Sequence, residues 1–283
     1  MSGTRSEATS VGTVLRRSTD YLIARGSETP RLDAERLLSK ALGCGRIELY
    51  MALDRPLTRE ELDVARDLVV RRGTREPLQY VLGEWGFRRL TLTVDSRALI
   101  PRPETEILVD RALALLEGRV APRVLDVGTG SGAIALAIAD EHPGAEVTGF
   151  DSSDEALSLA AENVLRTGFD VALVRGDLFA GLPAGPWDIV VSNPPYVDVS
   201  DIAGLAPEVR DWEPRLALAA GGEVAAVVRE AGREIAAGGG IVLEVGEGQA
   251  ESAATLLVEH GFEAIRVTPD LAGIDRIVEG LRP

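Results

Sequence analysis

The sequence predicts an α/β domain on a mostly parallel seven-stranded sheet, preceded by a small all-α domain and a β-hairpin linker. Three observations predict it. Strand-like and helix-like patterns alternate from residue 102 to the end, and such alternation folds as a parallel sheet with helices on both faces. Residues 11–75 carry apolar positions at helical spacing. Between them, residues 79–94 hold Val81-Leu82, then Gly83 and Gly86, and then alternate Leu90, Leu92 and Val94, two short strand-like runs that read as a β-hairpin. The expected boundaries are 1–76 for the helical domain, 77–100 for the linker and 101–283 for the α/β domain.

In the first segment Leu15, Tyr21, Leu22 and Ile23 mark one helix, and Leu32, Ala34, Leu37, Leu38, Ala41 and Leu42 a second after Pro30. Thr58-Arg59-Glu60-Glu61 opens a third: a threonine followed three residues later by glutamate satisfies two helix-end N–H groups reciprocally. Pro103 suits a first helical turn, so a helix is expected over 103–117. Strands are then expected at 123–127, 146–150, 171–174, 187–191, 241–245, 263–267 and 275–279, with helices at 133–139, 154–166, 224–236 and 250–259. Too few residues join the last two strands for a crossover, so they should pair antiparallel.

The 283 residues are 45% hydrophobic and 27% charged, a globular composition. No stretch approaches the roughly 20 apolar residues of a membrane helix. Residues 1–10 are polar and do not read as a secretory leader. The single cysteine, Cys44, lies between two glycines and reads as a packing or surface residue. A cytoplasmic location is expected. Residues 1–100 carry a net charge of +3 and residues 101–283 a net of −18. An acidic α/β half repels a phosphate backbone, so no direct nucleic-acid binding and no membrane association are expected; it would attract a basic protein, or it only keeps the chain soluble. Lys40 is the only lysine among 30 basic residues, which reads as compositional bias.

Two strings carry chemistry. The first, Asp126-Val127-Gly128-Thr129-Gly130-Ser131-Gly132, ends a predicted strand and opens a helix. Its glycines let the backbone turn sharply and approach a ligand. Dinucleotide sites use similar loops. The aspartate before the glycines and Asp151 at the end of the next strand favour S-adenosylmethionine, although NAD also asks for an acid on its ribose. Asp177 after the third strand can bind the adenine amine, with Leu178 or Phe179 against the ring; a turn residue is the alternative.

The second string, Asn193-Pro194-Pro195-Tyr196, follows a buried strand. It therefore lies at the carboxyl edge of the sheet, where open α/β folds bind ligands. Consecutive prolines stiffen the backbone and remove two N–H donors. The Asn193 side-chain oxygen and the Pro194 carbonyl can both accept from one –NH2 group, and Tyr196 can pack on a flat amide or base. An amide nitrogen is a poor nucleophile, so holding it in line with an electrophilic methyl supplies much of the rate. Asn193, Pro194 and Tyr196 are the expected catalytic residues, with Pro195 completing the substrate contact. A rigid loop with an aromatic anchor is the plainer reading of the same four residues.

With these strings in place, the chain resembles the release-factor glutamine N5-methyltransferases. The resemblance also rests on Arg31-Leu32-Asp33-Ala34-Glu35, Gln79-Tyr80-Val81-Leu82-Gly83, Leu99-Ile100-Pro101-Arg102-Pro103-Glu104-Thr105-Glu106, Glu213-Pro214 with Ala217-Leu218, and Ala272-Gly273-Ile274-Asp275-Arg276. It implies a class I, Rossmann-like S-adenosylmethionine-dependent methyltransferase domain behind a helical substrate domain. It implies methyl transfer to the glutamine of the Gly-Gly-Gln loop of peptide chain release factors, leaving S-adenosylhomocysteine. By the resemblance Gly128, Thr129, Gly130, Ser131, Gly132, Asp151 and Asn193 would contact the cofactor, and Asn193 to Tyr196 the glutamine amide; Asp177 and Leu178 join the expected cofactor contacts by their position after the third strand, and no metal and a monomeric enzyme are expected.

Leu178 departs from the aromatic residue that relatives often carry there. Residues 219–225 also depart from the family pattern, and are expected to alter only a surface loop. Arg102, Glu104 and Glu106 either line the site or serve the helix N-terminus, where the dipole favours acids. The competing readings are a nucleic-acid adenine-N6 methyltransferase, which would have to flip its base, and a non-catalytic module that binds the same cofactor.

Overall fold

The computed structural model describes residues 9–283, so most of the leader expectation at residues 1–10 lies outside the described residues. The chain separates into two compact units. One runs to Gly83 and also takes Pro207–Trp212; the other holds Glu84–Ala206 and Glu213–Pro283.

The first unit contains α1 (Val11–Ala24), α2 (Pro30–Leu42), α3 (Arg46–Met51), α4 (Arg59–Gly73) and α5 (Leu78–Leu82). The reciprocal cap forms as the sequence implies: Glu61 N–H donates to Thr58 Oγ1 at 3.2 Å and Thr58 N–H to Glu61 Oε2 at 2.9 Å. Apolar faces of the helices bury Leu15, Leu22, Ala34, Leu37, Leu38 and Ala65. Inside this core Arg72 donates to Asp33 at 2.7 Å and to Glu208 at 2.9 Å. Glu208 also pairs with Arg75 at 2.6 Å. The family-like segment 31–35 thus supplies a buried charge, Asp33, and a second one, Glu35, held by Arg31, Arg46 and Tyr50.

One local expectation is corrected here. Val81 and Leu82 are not in a strand. They close α5, which Gly83 ends in the left-handed conformation at φ 71°. A short apolar run reads equally as strand or helix by spacing, and burial of Leu78, Tyr80 and Val81 decides for the helix.

The second unit opens with the hairpin β1 (Glu84–Phe87) and β2 (Leu90–Thr93), in register from Glu84↔Thr93 to Phe87↔Leu90. Then follow α6 (Thr105–Leu116), β3 (Arg123–Val127), α7 (Ala133–Glu141), β4 (Glu146–Asp151), α8 (Asp154–Thr167), β5 (Val171–Arg175) and β6 (Trp187–Ser192); after α9 (Pro207–Arg210), which belongs to the first unit, come α10 (Glu223–Glu234), β7 (Ile235–Glu244), α11 (Ala250–Glu259), β8 (Glu263–Pro269) and β9 (Asp275–Leu281). The helix expected from residue 103 starts at Thr105, because a tighter turn with bonds from Thr105, Glu106 and Ile107 to the third residue back leads into it. The strand expected at 241–245 begins at Ile235, directly where α10 stops.

The sheet order is β5-β4-β3-β6-β7-β9-β8, parallel except that β9 runs antiparallel to both neighbours. The antiparallel final pair is as the short connection required. Successive side chains point to opposite faces. Val124, Ile189, Val191, Val242 and Ile277 therefore pack under α6 and α7, while Leu125, Val190, Ile241, Leu243 and Val278 pack under α10 and α11.

The hairpin is fastened to this unit. Arg88 at its turn pairs with Asp110 and Glu141, its N–H donates to Glu106 at 2.9 Å, and Arg166 pairs with Glu84. Asn163 of α8 is fully buried; it accepts from Thr93 N–H at 2.7 Å and donates to the carbonyls of Thr93 and Ser131.

Removing one partner of a buried ion pair strands the other charge. Asp33→Ala is expected to cost about 3 kcal/mol of stability. A urea unfolding curve checks it, and an unchanged midpoint would mean that Glu208 alone satisfies Arg72.

Candidate active site

The carboxyl ends of β3, β4 and β6 stop in line, with Val127 paired to both Phe150 and Ser192. Ser192 Oγ donates to the Val127 carbonyl at 2.7 Å, tying two of these ends together. Beyond them lies a cavity of about 500 Å³. Its size suits a nucleoside-sized ligand.

One wall is the loop after β3. Gly128, Gly130 and Gly132 all have positive φ, at 73°, 55° and 81°, a conformation that side-chain-bearing residues rarely adopt. The loop folds back on β4: Gly128 and Thr129 donate N–H bonds to the Phe150 carbonyl at 2.8 and 3.1 Å. Thr129 Oγ1 donates to Asp126 Oδ2 at 2.7 Å, and Ala135 N–H reaches the same oxygen at 3.2 Å. This close approach needs Gly149, where a Cβ would stand 2.8 Å from Thr129 Oγ1.

Asp151 ends β4 with both oxygens engaged. Gly130 N–H donates to Oδ2 and Ser153 N–H to Oδ1, each at 2.9 Å. Its carboxylate is thereby fixed beside the loop. Asp177 accepts from Phe179 N–H at 2.9 Å, a turn bond, while Leu178 and exposed Phe179 line the same cavity.

The wall opposite comes from β6 and its sequel. Asn193, Pro194 and Pro195 line the cavity. Asn193 Nδ2 donates to Thr105 Oγ1 at 3.2 Å. Glu244, the last residue of β7, is buried, and Thr105 and Asn193 favour its charged form. Tyr196 stands behind this wall: its carbonyl accepts from Gln249 Nε2 at 3.1 Å, and Gln249 Oε1 takes Gly246 N–H at 3.0 Å. Burial pushes the Tyr196 hydroxyl upward, helped by Glu244.

The structure thus brings most of the residues expected to hold a cofactor and a nitrogen to one cavity. Two stand apart from its wall, Gly132 and Tyr196. Arg102 lines it and clasps Glu213 through both oxygens at 2.7 and 2.8 Å, although burial pushes that carboxyl upward. Glu104 makes no side-chain cap to α6, and Glu106 spends its side chain on Arg88. The unusual segment 219–225 is more than surface. Ala219 bridges Val197, and Glu223 reaches the cavity wall.

Sequence reasoning missed Thr105, Glu213, Glu223, Asn163 and Glu244 as parts of the site or its support. Thr105 and Glu213 sat inside family-like motifs with no role attached. Glu244 gave no signal, because an acid ending an apolar strand looks like a solvated strand end.

Two carboxyls in this region are forced toward their neutral forms. Asp126 is pushed up to about 7 by burial, against the bonds from Thr129 and Ala135. Its Oδ1 has no partner. Glu244 is pushed up to about 7 by burial, against the influence of Thr105 and Asn193, with Glu104 raising it and Arg276 lowering it.

A sheet in this order, parallel except for β9, with a left-handed glycine loop after β3 and an acid ending β4, defines a class I Rossmann-like methyltransferase. The solved 16S rRNA N2 G1207 methyltransferase of T. thermophilus shares the fold, with a TM-score of 0.52 at 20% identity over 71% of this chain and 50% of that one. Residues 13–83 match the family described as PrmC N-terminal domain, and residues 105–244 the methyltransferase small domain. The release factor glutamine methyltransferase of Geobacter sulfurreducens is 43% identical over 264 residues, covering 92% of each chain. That of Deinococcus radiodurans is 42% identical over 273 residues, covering 95% of this chain and 97% of the relative. The chain belongs to the release factor glutamine methyltransferase family.

A raised carboxyl pKa has a sign. Between 4.5 and about 7 the folded chain holds a proton on Glu244 that the unfolded chain has lost. Stability from this group is complete below that window and falls as pH rises through it. The loss is on the order of 3 kcal/mol. Glu244→Gln removes the titration, so its melting temperature should gain on wild type between pH 5 and pH 8. A difference that stays constant across the window would sink the assignment.

Proposed function

We propose that this chain transfers the methyl of S-adenosylmethionine to the side-chain amide nitrogen of the glutamine in the Gly-Gly-Gln loop of peptide chain release factors. The observation that carries this reading is that the glycine loop and Asn193-Pro194-Pro195 share one cavity. Family membership supports the choice of a glutamine amide. The chain's own residues fit the cofactor: a left-handed glycine cradle in which a Cβ at Gly128 would meet nothing within 4 Å, and an acid beside it.

S-adenosylmethionine supplies an electrophilic methyl on a positively charged sulfur. In this reading Asp151 would accept from the ribose hydroxyls, and Leu178 and Phe179, which line the same cavity, would offer apolar surface to the base. The Asn193 Oδ1 and Pro194 carbonyl accept the two amide hydrogens and turn the nitrogen toward the methyl. Placing the reacting atoms ~3–3.5 Å apart supplies the rate. The nitrogen becomes acidic once alkylated and sheds its proton without a dedicated base. Tyr196 stiffens the wall behind Pro195, with Gln249 on its carbonyl.

The net charge of −18 on residues 101–283 disfavours a nucleic-acid substrate. Adenine-N6 methylation is the weaker reading for that reason. Among the described residues no helix is long and apolar enough to cross a membrane. We read the enzyme as a cytoplasmic monomer, working where release factors work.

Incubation with S-adenosylmethionine and a release factor, followed by peptide mass spectrometry, tests the reading. A methyl is expected on the Gly-Gly-Gln glutamine, and Asn193→Ala should slow its appearance by about 100-fold. Methylated nucleic acid beside an untouched release factor would overturn it. Asp151→Ala should weaken S-adenosylhomocysteine binding about 10- to 100-fold, since charge-assisted hydrogen bonds are lost. Calorimetry measures this without any substrate.

A further inference from the structure

Asn163 is fully buried in α8, and no step of the methyl transfer calls on it. Its side chain is nonetheless matched to two stretches of backbone. Oδ1 accepts from Thr93 N–H at 2.7 Å, while Nδ2 donates to the Thr93 carbonyl at 3.1 Å and to the Ser131 carbonyl at 2.9 Å. Both amide hydrogens and the oxygen are thereby used, and a flipped amide would break all three bonds. Thr93 ends β2, and residues 97–102, which line the cavity, follow shortly after it. Ser131 belongs to the glycine loop, another part of the same wall.

We infer that Asn163 is a positioning residue that joins the glycine loop to the segment 97–102 and so holds the cavity in the shape that binds S-adenosylmethionine. The inference rests on the reading above that the cofactor occupies this cavity. The rest of the α8 face agrees with it. Ala156, Leu159, Asn163 and Arg166 recur at helical spacing. Ala156 and Leu159 pack with Ala98. Ala98 in turn lies against the loop, where a Cβ at Gly130 would meet its Cβ at 3.8 Å. Arg97 grips Glu162 at 2.6 and 2.9 Å, and Arg166 pairs with Glu84 of the hairpin. A Cβ at Gly132 would stand 3.4 Å from that of Ala160, so this glycine, though apart from the cavity wall, lets α8 approach the loop.

Apolar packing sets the helix against the hairpin, but it does not direct a loop of glycines, whose backbone is free to turn. The first half of the loop is held by β4, through the Phe150 carbonyl and Asp151. Asn163 supplies the directional contact for the second half, and ties it to the hairpin. Without Asn163 two carbonyls and one N–H lose a buried partner. The joint and the cofactor are then linked reciprocally. If an intact joint raises cofactor affinity by some factor, bound cofactor stabilises the joint by the same factor.

The test compares Asn163→Leu and Asn163→Asp with wild type, by calorimetry of S-adenosylhomocysteine and by kinetics in the release-factor assay. Asn163→Asp keeps the acceptor for Thr93 N–H and replaces both donors with an oxygen. Both variants are expected to raise the Kd for S-adenosylhomocysteine and the KM for S-adenosylmethionine about 10-fold. The KM for the release factor and the kcat at saturating cofactor should be largely kept. A merely structural role would do the reverse, lowering the folded fraction and with it kcat while KM stays put. Phe262→Leu, in the core and off the cavity wall, sets that baseline. Should neither Asn163 variant fold, wild type decides alone: saturating S-adenosylhomocysteine should slow hydrogen exchange at the Thr93 amide about 10-fold, by the same linkage, and an amide indifferent to the ligand would overturn the inference. Wild-type affinity in the Asn163 variants, beside a weakened Asp151→Ala, would overturn the positioning role alone. Wild-type affinity in Asp151→Ala as well would place the cofactor elsewhere, and the reading would fall together with the inference.

Discussion

The register of the parallel strands is the constraint on which the site depends. Val127, Phe150 and Ser192 lie side by side, and Ser192 pairs in turn with Leu243. Each strand then releases its chain at the same edge. The glycine loop, Asp151, Asn193 and Glu244 converge although more than a hundred residues separate the first from the last. A slip of one residue in any strand would turn its side chains to the other face. The two apolar clusters that sandwich the sheet prevent it.

That edge carries polar groups that folding alone would avoid. Asp126, Glu213 and Glu244 are buried carboxyls, each pushed upward by loss of water. Strongly perturbed groups clustered around a cavity are characteristic of functional sites. The rest of the unit offsets their cost with a continuous hydrophobic core. The hairpin contributes Phe87 and Leu92 to that core. It is followed directly by residues 97–102 of the cavity wall, so its packing helps to place them.

Arginine does most of the fastening. Arg102 holds Glu213, Arg111 holds Glu279 through two bonds of 2.6 and 2.7 Å, and Arg88 gathers Asp110 and Glu141. A planar guanidinium matches a carboxylate in two places at once, which a lysine ammonium cannot do. The near absence of lysine is compositional, yet it leaves the protein rich in groups suited to such pairs.

The sequence by itself determined the α/β alternation, the antiparallel final strand, the glycine loop and the Asn-Pro-Pro-Tyr string. These depend on local periodicity and on backbone freedoms peculiar to glycine and proline, so they can be read along the chain. It misread residues 79–82 as strand, and left open what Arg102, Glu104 and Glu106 do, because those answers depend on partners distant in sequence. Glu213 lies 111 positions from Arg102. The grip on Asn193 comes from Thr105, 88 positions away. Glu244 is the clearest case. It is an unremarked acid at the end of an apolar strand until the packed fold leaves it 1% exposed and pushes its carboxyl up to about 7. Burial of a group by elements distant in sequence is a property of such an assembly, and only the tertiary structure decided it.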